Sequence, residues 1–243
     1  MKRDCPLVLR IVQNLIQKRK HVRKYREDKI PEKTDIEEIL WLAWKCTPSK
    51  NNFMPYQVNV LGPYQDAEKL EVWKMCVMNH DKMENEAKEK GINTVTQAET
   101  NGPDWGYNLD YKHVKHNPYL CVITARCCDE PNEYYKMQEK TGHFCDQTRE
   151  EYVERIIDTT CVEVGLFINH ATMFAVDKGI DVSYTSCFPR QVEHWYKSPY
   201  VKWRPIILMS FGYGEIYRQD VIKKDGYAHM DIKPEMNKVI QWI

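Results

Sequence analysis

Apolar residues at Leu7, Val8, Ile11, Val12 and Leu15 recur at helical spacing behind Asp4 and Pro6, which predicts an amphipathic helix over residues 5–20. Thr34 with Glu37 has the form of a capping box, and Ile36, Ile39, Leu40 and Ala43 carry one apolar stripe up to the break at Pro48, so a second helix is expected over 35–46. QVNVLG at 57–62 alternates as a strand does, residues 66–90 read as a helix stopped by Gly91, and YLCVITAR at 119–126 is a β-branched strand. Thr148 with Glu151 forms another capping box, after which Ile156, Val164, Leu166, Ile168 and Phe174 build the most apolar helix of the chain, over 149–178 and ending before Gly179. VSYTSCF at 182–188 is a strand entering a loop, PIILMSFGY at 205–213 a fully buried strand, and 233–242 a short terminal helix. This helix-rich order lacks the regular alternation of a doubly wound sheet, and neither a G-x-G-x-x-G loop nor a Walker lysine occurs. The expected class is α+β, a single domain over 1–243. The irregular stretch at 92–117 reads as a lid insertion, because a loop so long is functional or disordered and this one holds Trp105, Tyr107 and Tyr111.

Composition narrows the functional classes. Of 243 residues, 42% are hydrophobic and 12% aromatic, ample for a core. Lys plus Arg and Asp plus Glu both number 35, whereas proteins held by nucleic-acid phosphates carry a basic surplus. The stretch QKRKHVRKYR at 17–26 is therefore a local feature: a nucleic-acid arm, a clamp for one small phosphate, or a solvated helix end. Nine cysteines without a C-x-x-C pair suit reduced, buried thiols in a cytoplasmic protein. No apolar run approaches the roughly 18 residues of a membrane span, and no signal-peptide core opens the chain, so a soluble, unexported protein is expected. His113 with His116, and His143 with Cys145, lack a second pair at zinc-like spacing, and no metal site is expected.

Two stretches flank the second helix: RKHVRKY at 19–25 and TPSKNNFMPY at 47–56. A basic stretch, one capped helix, a P-S-x-x-N-x-x-P-aromatic loop and then a strand resemble, in that order, the flavin-dependent nitroreductase family, whose early motifs are R-R-S-x-R-x-F and P-S-x-x-N-x-Q-P-W. Further along, NPYLCVIT is similar to the family's strand after its variable region, AVDKGIDVSYTS to the end of its central helix and the next strand, and PIILMSFGYGE to its last core strand. The resemblance spans most of the chain apart from about 63–117 and 127–147.

The resemblance implies a nitroreductase-like α+β fold, with a central, mostly antiparallel sheet flanked by helices and two chains intertwined as a homodimer. It also implies bound FMN. Arg19, Lys20, His21 and Arg23 take the family's phosphate and ribityl positions, with His21 where the family usually has Ser. Pro48, Ser49, Lys50 and Asn52 take the positions beside the isoalloxazine, with Met54 in place of Gln and Tyr56 in place of Trp. Thr185, Ser186 and Cys187 fall where the family's backbone donates to flavin N5, and Lys233 before Pro234 where a basic residue closes the phosphate site. The residue chemistry agrees: two guanidinium forks four residues apart at a helix exit offer paired donors to one dianion, and an asparagine amide matches the alternating donors and acceptors of the ring edge. Lys24 and Arg26 are left to solvent, and Cys187 reads as a packing residue. Trp105, Tyr107 and Tyr111 are the expected substrate contacts of the lid. The implied activity takes hydride from NAD(P)H as co-substrate and reduces a nitroaromatic, quinone or similar small acceptor by a ping-pong mechanism, with the flavin carrying the chemistry and no catalytic side chain. Two rivals remain: a reductive dehalogenase or flavin-destructase branch of the same fold, and a non-catalytic flavin-binding protein, which the changes at His21 and Met54 allow. No nucleic-acid or membrane partner is expected.

Overall fold

The run YLCVITA forms strand β3 (Tyr119–Ala125), and all seven residues are buried. The computed structural model of the chain describes residues 13–69, 72, 117–126, 132–142, 148–185, 204–217, 219 and 233–240. β2 (Tyr56–Leu61) pairs with β3 in the register Val58 to Ile123. β5 (Pro205–Gly212) pairs on its other side with Cys121 opposite Met209, and β4 (Asp181–Thr185) closes the far edge with Val182 opposite Phe211. Every pairing in the order β2-β3-β5-β4 is antiparallel, which matches the expected central sheet. A separate ribbon joins β1 (Val22–Tyr25) to β6 (Gly214–Tyr217). The buried Tyr25 hydroxyl ties ribbon to sheet, donating to Ser210 O at 3.0 Å and sharing a second hydrogen bond with Ser183 Oγ at 3.1 Å.

One face of the sheet carries the principal helices, α1 (Lys33–Cys46) and α4 (Ile157–Asp177). They run antiparallel, because Lys178 just beyond α4 pairs with Asp35 and Glu38 at the start of α1 (2.7 and 2.8 Å), while Thr47 at the end of α1 meets His170. Between these ends Ile36, Ile39 and Ala43 pack with Val164, Phe167, Ala171 and Ala175, and with Cys121, Ile123, Met209 and Phe211 of the sheet, in one core. α4 stops where Gly179, at φ 72, lets its own N–H reach Val176 O and the Ile180 N–H reach Ala175 O, a Schellman ending. By length and composition alone α4 could cross a membrane; here its apolar side fills the core. Two shorter helices, α2 (Glu133–Lys140) and α3 (Arg149–Arg155), and the single turn α5 (Met236–Val239) complete the described elements.

Several expectations need correction. Residues 13–18 are helical, so the first helix does end in the basic stretch, but a strand rather than a loop follows: Val22–Tyr25 form β1, whose Val22 and Tyr25 are buried while its backbone pairs with β6. Lys24 is half-buried and Arg26 exposed, and both are paired rather than left to solvent, with Glu215 at 2.9 Å and Asp28 at 2.7 Å. α1 starts at Lys33 on Glu32, so Thr34 falls inside the first turn and cannot cap it, and Glu37 pairs with Lys33 instead. The Thr148–Glu151 capping box does form, but it starts α3, and the continuous 149–178 helix is interrupted at Ile156. Cys121 is buried as expected, whereas Cys46 and Cys161 are exposed. The terminal helix shrinks to Met236–Val239. The remainder of the 5–20 and 66–90 helices, Gly91, residues 92–116 and both histidine pairs considered for metal lie outside the described residues.

Lys69 is fully buried and donates to Asn117 O at 2.8 Å, with Asp66 3.9 Å away. Burial pushes its pKa down from the ordinary 10.5 to about 8. Below pH 8 folded and unfolded chains both hold this proton; above it, up to 10.5, only the unfolded chain does, so stability should rise with pH in that window. The expected outcome is that the unfolding free energy of wild type relative to Lys69→Met grows as pH is raised from 8 toward 10.5, in denaturant titrations at several pH values. A flat difference would contradict the assignment.

Candidate functional site

α1 delivers the motif TPSKNN to a tight turn. The Thr47 hydroxyl donates back to Ala43 O at 2.6 Å, which leaves its oxygen to accept from His170 Nδ1 at 3.1 Å. Lys50–Asn52 then forms one turn of 3-10 helix. Asn51, Asn52 and Met54 have φ of 53, 55 and 52, the left-handed region. Asparagine visits it at modest cost and methionine rarely does. Such residues cost on the order of 1–3 kcal/mol each and persist only where their surroundings hold them. The turn satisfies its own backbone donors: Asn52 N–H to Ser49 O (3.0 Å), Phe53 N–H to Lys50 O (3.1 Å) and Met54 N–H to Ser49 Oγ (2.8 Å).

External supports come from two helices. The Lys50 N–H donates to Glu163 Oε1 of α4 at 3.0 Å, and the Asn132 amide donates to Asn51 O at 2.7 Å and Asn52 O at 3.3 Å. Asn132 is also the N-cap of α2, accepting from the Tyr135 N–H, and the Tyr135 hydroxyl donates to Lys50 O at 3.3 Å. Phe53 stacks on Tyr135 with ring centroids 4.1 Å apart. Burial, with Glu163 among the contributing charges, raises the Tyr135 pKa to about 12, and burial followed by Glu163 raises that of Tyr56. Pro48, Lys50, Asn51 and Asn52 remain exposed, so the turn presents side chains outward from a fixed backbone.

The other predicted residues gather at the outer edge of β4. His21 bridges Val182, and its ring centre lies 6.1 Å from that of Tyr184. The Arg19 guanidinium lies over the Tyr184 ring, 6.0 Å from its centroid, and Lys20 Nζ lies 4.5 Å from the Tyr217 centroid. The Tyr184 hydroxyl is hydrogen-bonded to Thr172 of α4; burial raises its pKa, while that bond and the nearby Arg19 charge act against the rise. Thr185 ends the same strand. Among the described residues neither Arg19 nor Lys20 is held in an ion pair. Arg23 sits on β1 rather than at a helix exit, so the helical spacing expected to aim both guanidiniums does not occur. Lys233 is exposed just before α5. Ser186, Cys187, Trp105, Tyr107 and Tyr111 lie outside the described residues.

The candidate residues thus fall into two groups, each a candidate half-site. One hangs from Thr172 and the other from Glu163, and these positions of α4, separated by nine residues at about 100° each, point to opposite sides of the helix axis. Sequence reasoning missed Glu163, Asn132, Tyr135 and Tyr184. Two left a signal: Glu163 is a lone charge in the apolar run CVEVGLF, and Asn132 precedes EYYKM as an N-cap should.

The fold is α+β, and the sequence profile of the Nitroreductase family matches residues 16–213. The chain belongs to the nitroreductase family. Among solved structures it resembles a nitroreductase family protein from Streptococcus pneumoniae TIGR4 (TM-score 0.57, 14% identity, 96% of this chain and 100% of that one). It also resembles a putative NAD(P)H:FMN oxidoreductase from Staphylococcus epidermidis (0.57, 13%, 95% of each). A third is the FMN-dependent nitroreductase NfnB of Mycobacterium smegmatis in complex with NADPH (0.57, 15%, 97% of this chain and 99% of that one). At these identities the likeness concerns the fold. No curated protein matches the sequence.

Asn132→Ala removes an N-cap and both supports of the Asn51 and Asn52 carbonyls. The expected outcome is a loss of roughly 0.5–2 kcal/mol in unfolding free energy, with faster protease cleavage within 49–54. Unchanged cleavage would show that Asn132 does not brace the turn.

Proposed function

We propose that this protein is an FMN-dependent oxidoreductase that takes hydride from NAD(P)H and reduces a nitroaromatic, quinone or similar small acceptor. The observation that carries the reading is the cationic edge of β4. Arg19 and Lys20 lie over aromatic rings instead of carboxylates, which keeps two charges available for one terminal phosphate beside the strand end at Thr185. The donor set fits FMN: Arg19 and Lys20, joined by Arg23 and Lys233, bind the phosphate, and His21 takes the ribityl position. Pro48, Ser49, Lys50 and Asn52 border the ring, with Asn52 offering its amide to the polar edge. The backbone of Thr185, Ser186 and Cys187 orients the face at which hydride enters. Bound FMN supplies a hydride acceptor and donor; no acid or base side chain is assigned, and the chain's share is binding, orientation and exclusion of water. Trp105, Tyr107 and Tyr111 form the lid that selects the acceptor. The descriptions of the S. epidermidis and M. smegmatis proteins support this cofactor pair.

The reading includes a homodimer. The half-sites face opposite sides of α4, so a second copy is the simplest way to bring a β4 edge against a Lys50–Asn52 turn. The apolar surface for such contact is present: Trp41 and Trp44 of α1 are 51% and 55% exposed, and Val162 and Leu166 line the exposed strip of α4. The exposed thiols of Cys46 and Cys161 suit a reducing, cytoplasmic setting.

The purified protein should be yellow and dimeric by light scattering. Arg19→Ala should weaken FMN binding roughly ten- to a hundredfold, the size expected from losing one charge-assisted contact, read by fluorescence titration of the flavin-free protein. Initial rates should give parallel double-reciprocal lines, since one pocket serves both substrates in turn. Intersecting lines would exclude the shared pocket. A colourless protein that FMN cannot reconstitute would remove the cofactor assignment, and retained FMN that NADPH fails to bleach without oxygen would favour the non-catalytic binder.

A further inference from the structure

Glu163 is a carboxylate inside the core helix. It is 6% exposed, on an element whose other buried residues are Thr160, Val164, Phe167, Ala171, Thr172 and Ala175. Burying a carboxylate is unfavourable unless each oxygen finds a donor. Here Oε1 receives the Lys50 N–H at 3.0 Å, while Oε2 has no hydrogen-bond partner among the described residues. A leucine at this position would extend the apolar run unbroken, so helix packing gives no reason for the acid. The reason lies across the interface. Lys50 opens the turn that holds Asn51, Asn52 and Met54 at positive φ. The turn's later N–H groups close on Ser49 and Lys50, whereas the Lys50 N–H is directed away from the turn and into α4.

We propose that Glu163 is a positioning residue: it fixes the left-handed Lys50–Met54 turn through the Lys50 backbone N–H, and retention of flavin by that turn depends on this acceptor rather than on the charge. The position explains the choice of side chain. The Lys50 N–H is directed at a helix whose mid-helix carbonyls are already engaged, so its acceptor must be a side chain with the reach of Glu or Gln. Asn132 and Tyr135 hold the carbonyl side of the same turn. With Glu163 on the amide side, the turn is gripped from both directions before any ligand arrives, and Asn52 is presented in one orientation.

The flavin part of this inference rests on the proposed function, and the experiment separates the two. Hydrogen exchange of the peptide covering 47–56 is measured on flavin-free wild type, Glu163→Gln and Glu163→Leu, followed by FMN titration of each. Gln keeps an acceptor and removes the charge; Leu keeps volume and removes both. Expected are near-wild-type protection and affinity for Glu163→Gln. For Glu163→Leu, protection of 49–54 and FMN affinity should both drop about tenfold, the effect of one hydrogen bond lost from a part-buried amide, while protection of β3 and β5 stays unchanged. Should Glu163→Leu fail to fold, Glu163→Asp, which withdraws the acceptor by one methylene, is compared with Glu163→Gln in its place. Equal protection in Gln and Leu variants, or a Gln variant as impaired as the Leu one, overturns the proposal. If wild type binds no FMN, the cofactor reading fails, yet the exchange data still decide whether Glu163 sets the turn.

Discussion

Close packing of α4 on α1 is the constraint from which the other placements follow. Ala43, Ala171 and Ala175 are fully buried at this contact, and side chains so small let two helix backbones come close and fix their relative height. The height is then locked at both ends, by Lys178 between Asp35 and Glu38 and by Thr47 on His170. Once α1 is held at that level its exit can only arrive beside Glu163. The same helix, through Thr172 and Tyr184, sets where the β4 edge and Arg19 stand. One buried rod thus registers both groups of candidate residues.

Where burial alone decides structure, the sequence is easy to read. β3 is an apolar run that ends up wholly buried; β5, expected to be fully buried, is so only over Leu208–Gly212 and at Pro205, with Ile206 and Ile207 partly exposed; the Thr148–Glu151 box and the Gly179 stop do what their residue types suggest. The failures share a cause: the deciding contact is distant in the chain. β1 reads as a helix end because its lysines and arginines carry no period of two, and only its pairing with β6 makes it a strand. The interruption at Ile156 is invisible because the apolar pattern runs through it. The candidate motifs were legible as residue types, but Glu163, Asn132 and Tyr184 act across many intervening residues, and nothing local announces whom they meet.

The two halves of the site differ in how they are held. The turn at 49–54 is rigid by construction, with its backbone donors internally satisfied and its strain supported from two helices. At the β4 edge the two cations instead rest on aromatic rings, Arg19 on Tyr184 and Lys20 on Tyr217.

The hydrogen bond from Lys69 to the Asn117 carbonyl carries an evolutionary consequence. It brings the two ends of the intervening sequence together at a fixed point of the sheet, beside the first residues of β3. Closing a chain between fixed ends becomes only about 0.6 kcal/mol harder with each doubling of its length. Lineages can therefore lengthen, trim or replace what lies between 70 and 116 while strand pairing stays as it is. Change of length between Lys69 and Asn117, more than any rearrangement of the strands, is the freedom that one buried lysine grants.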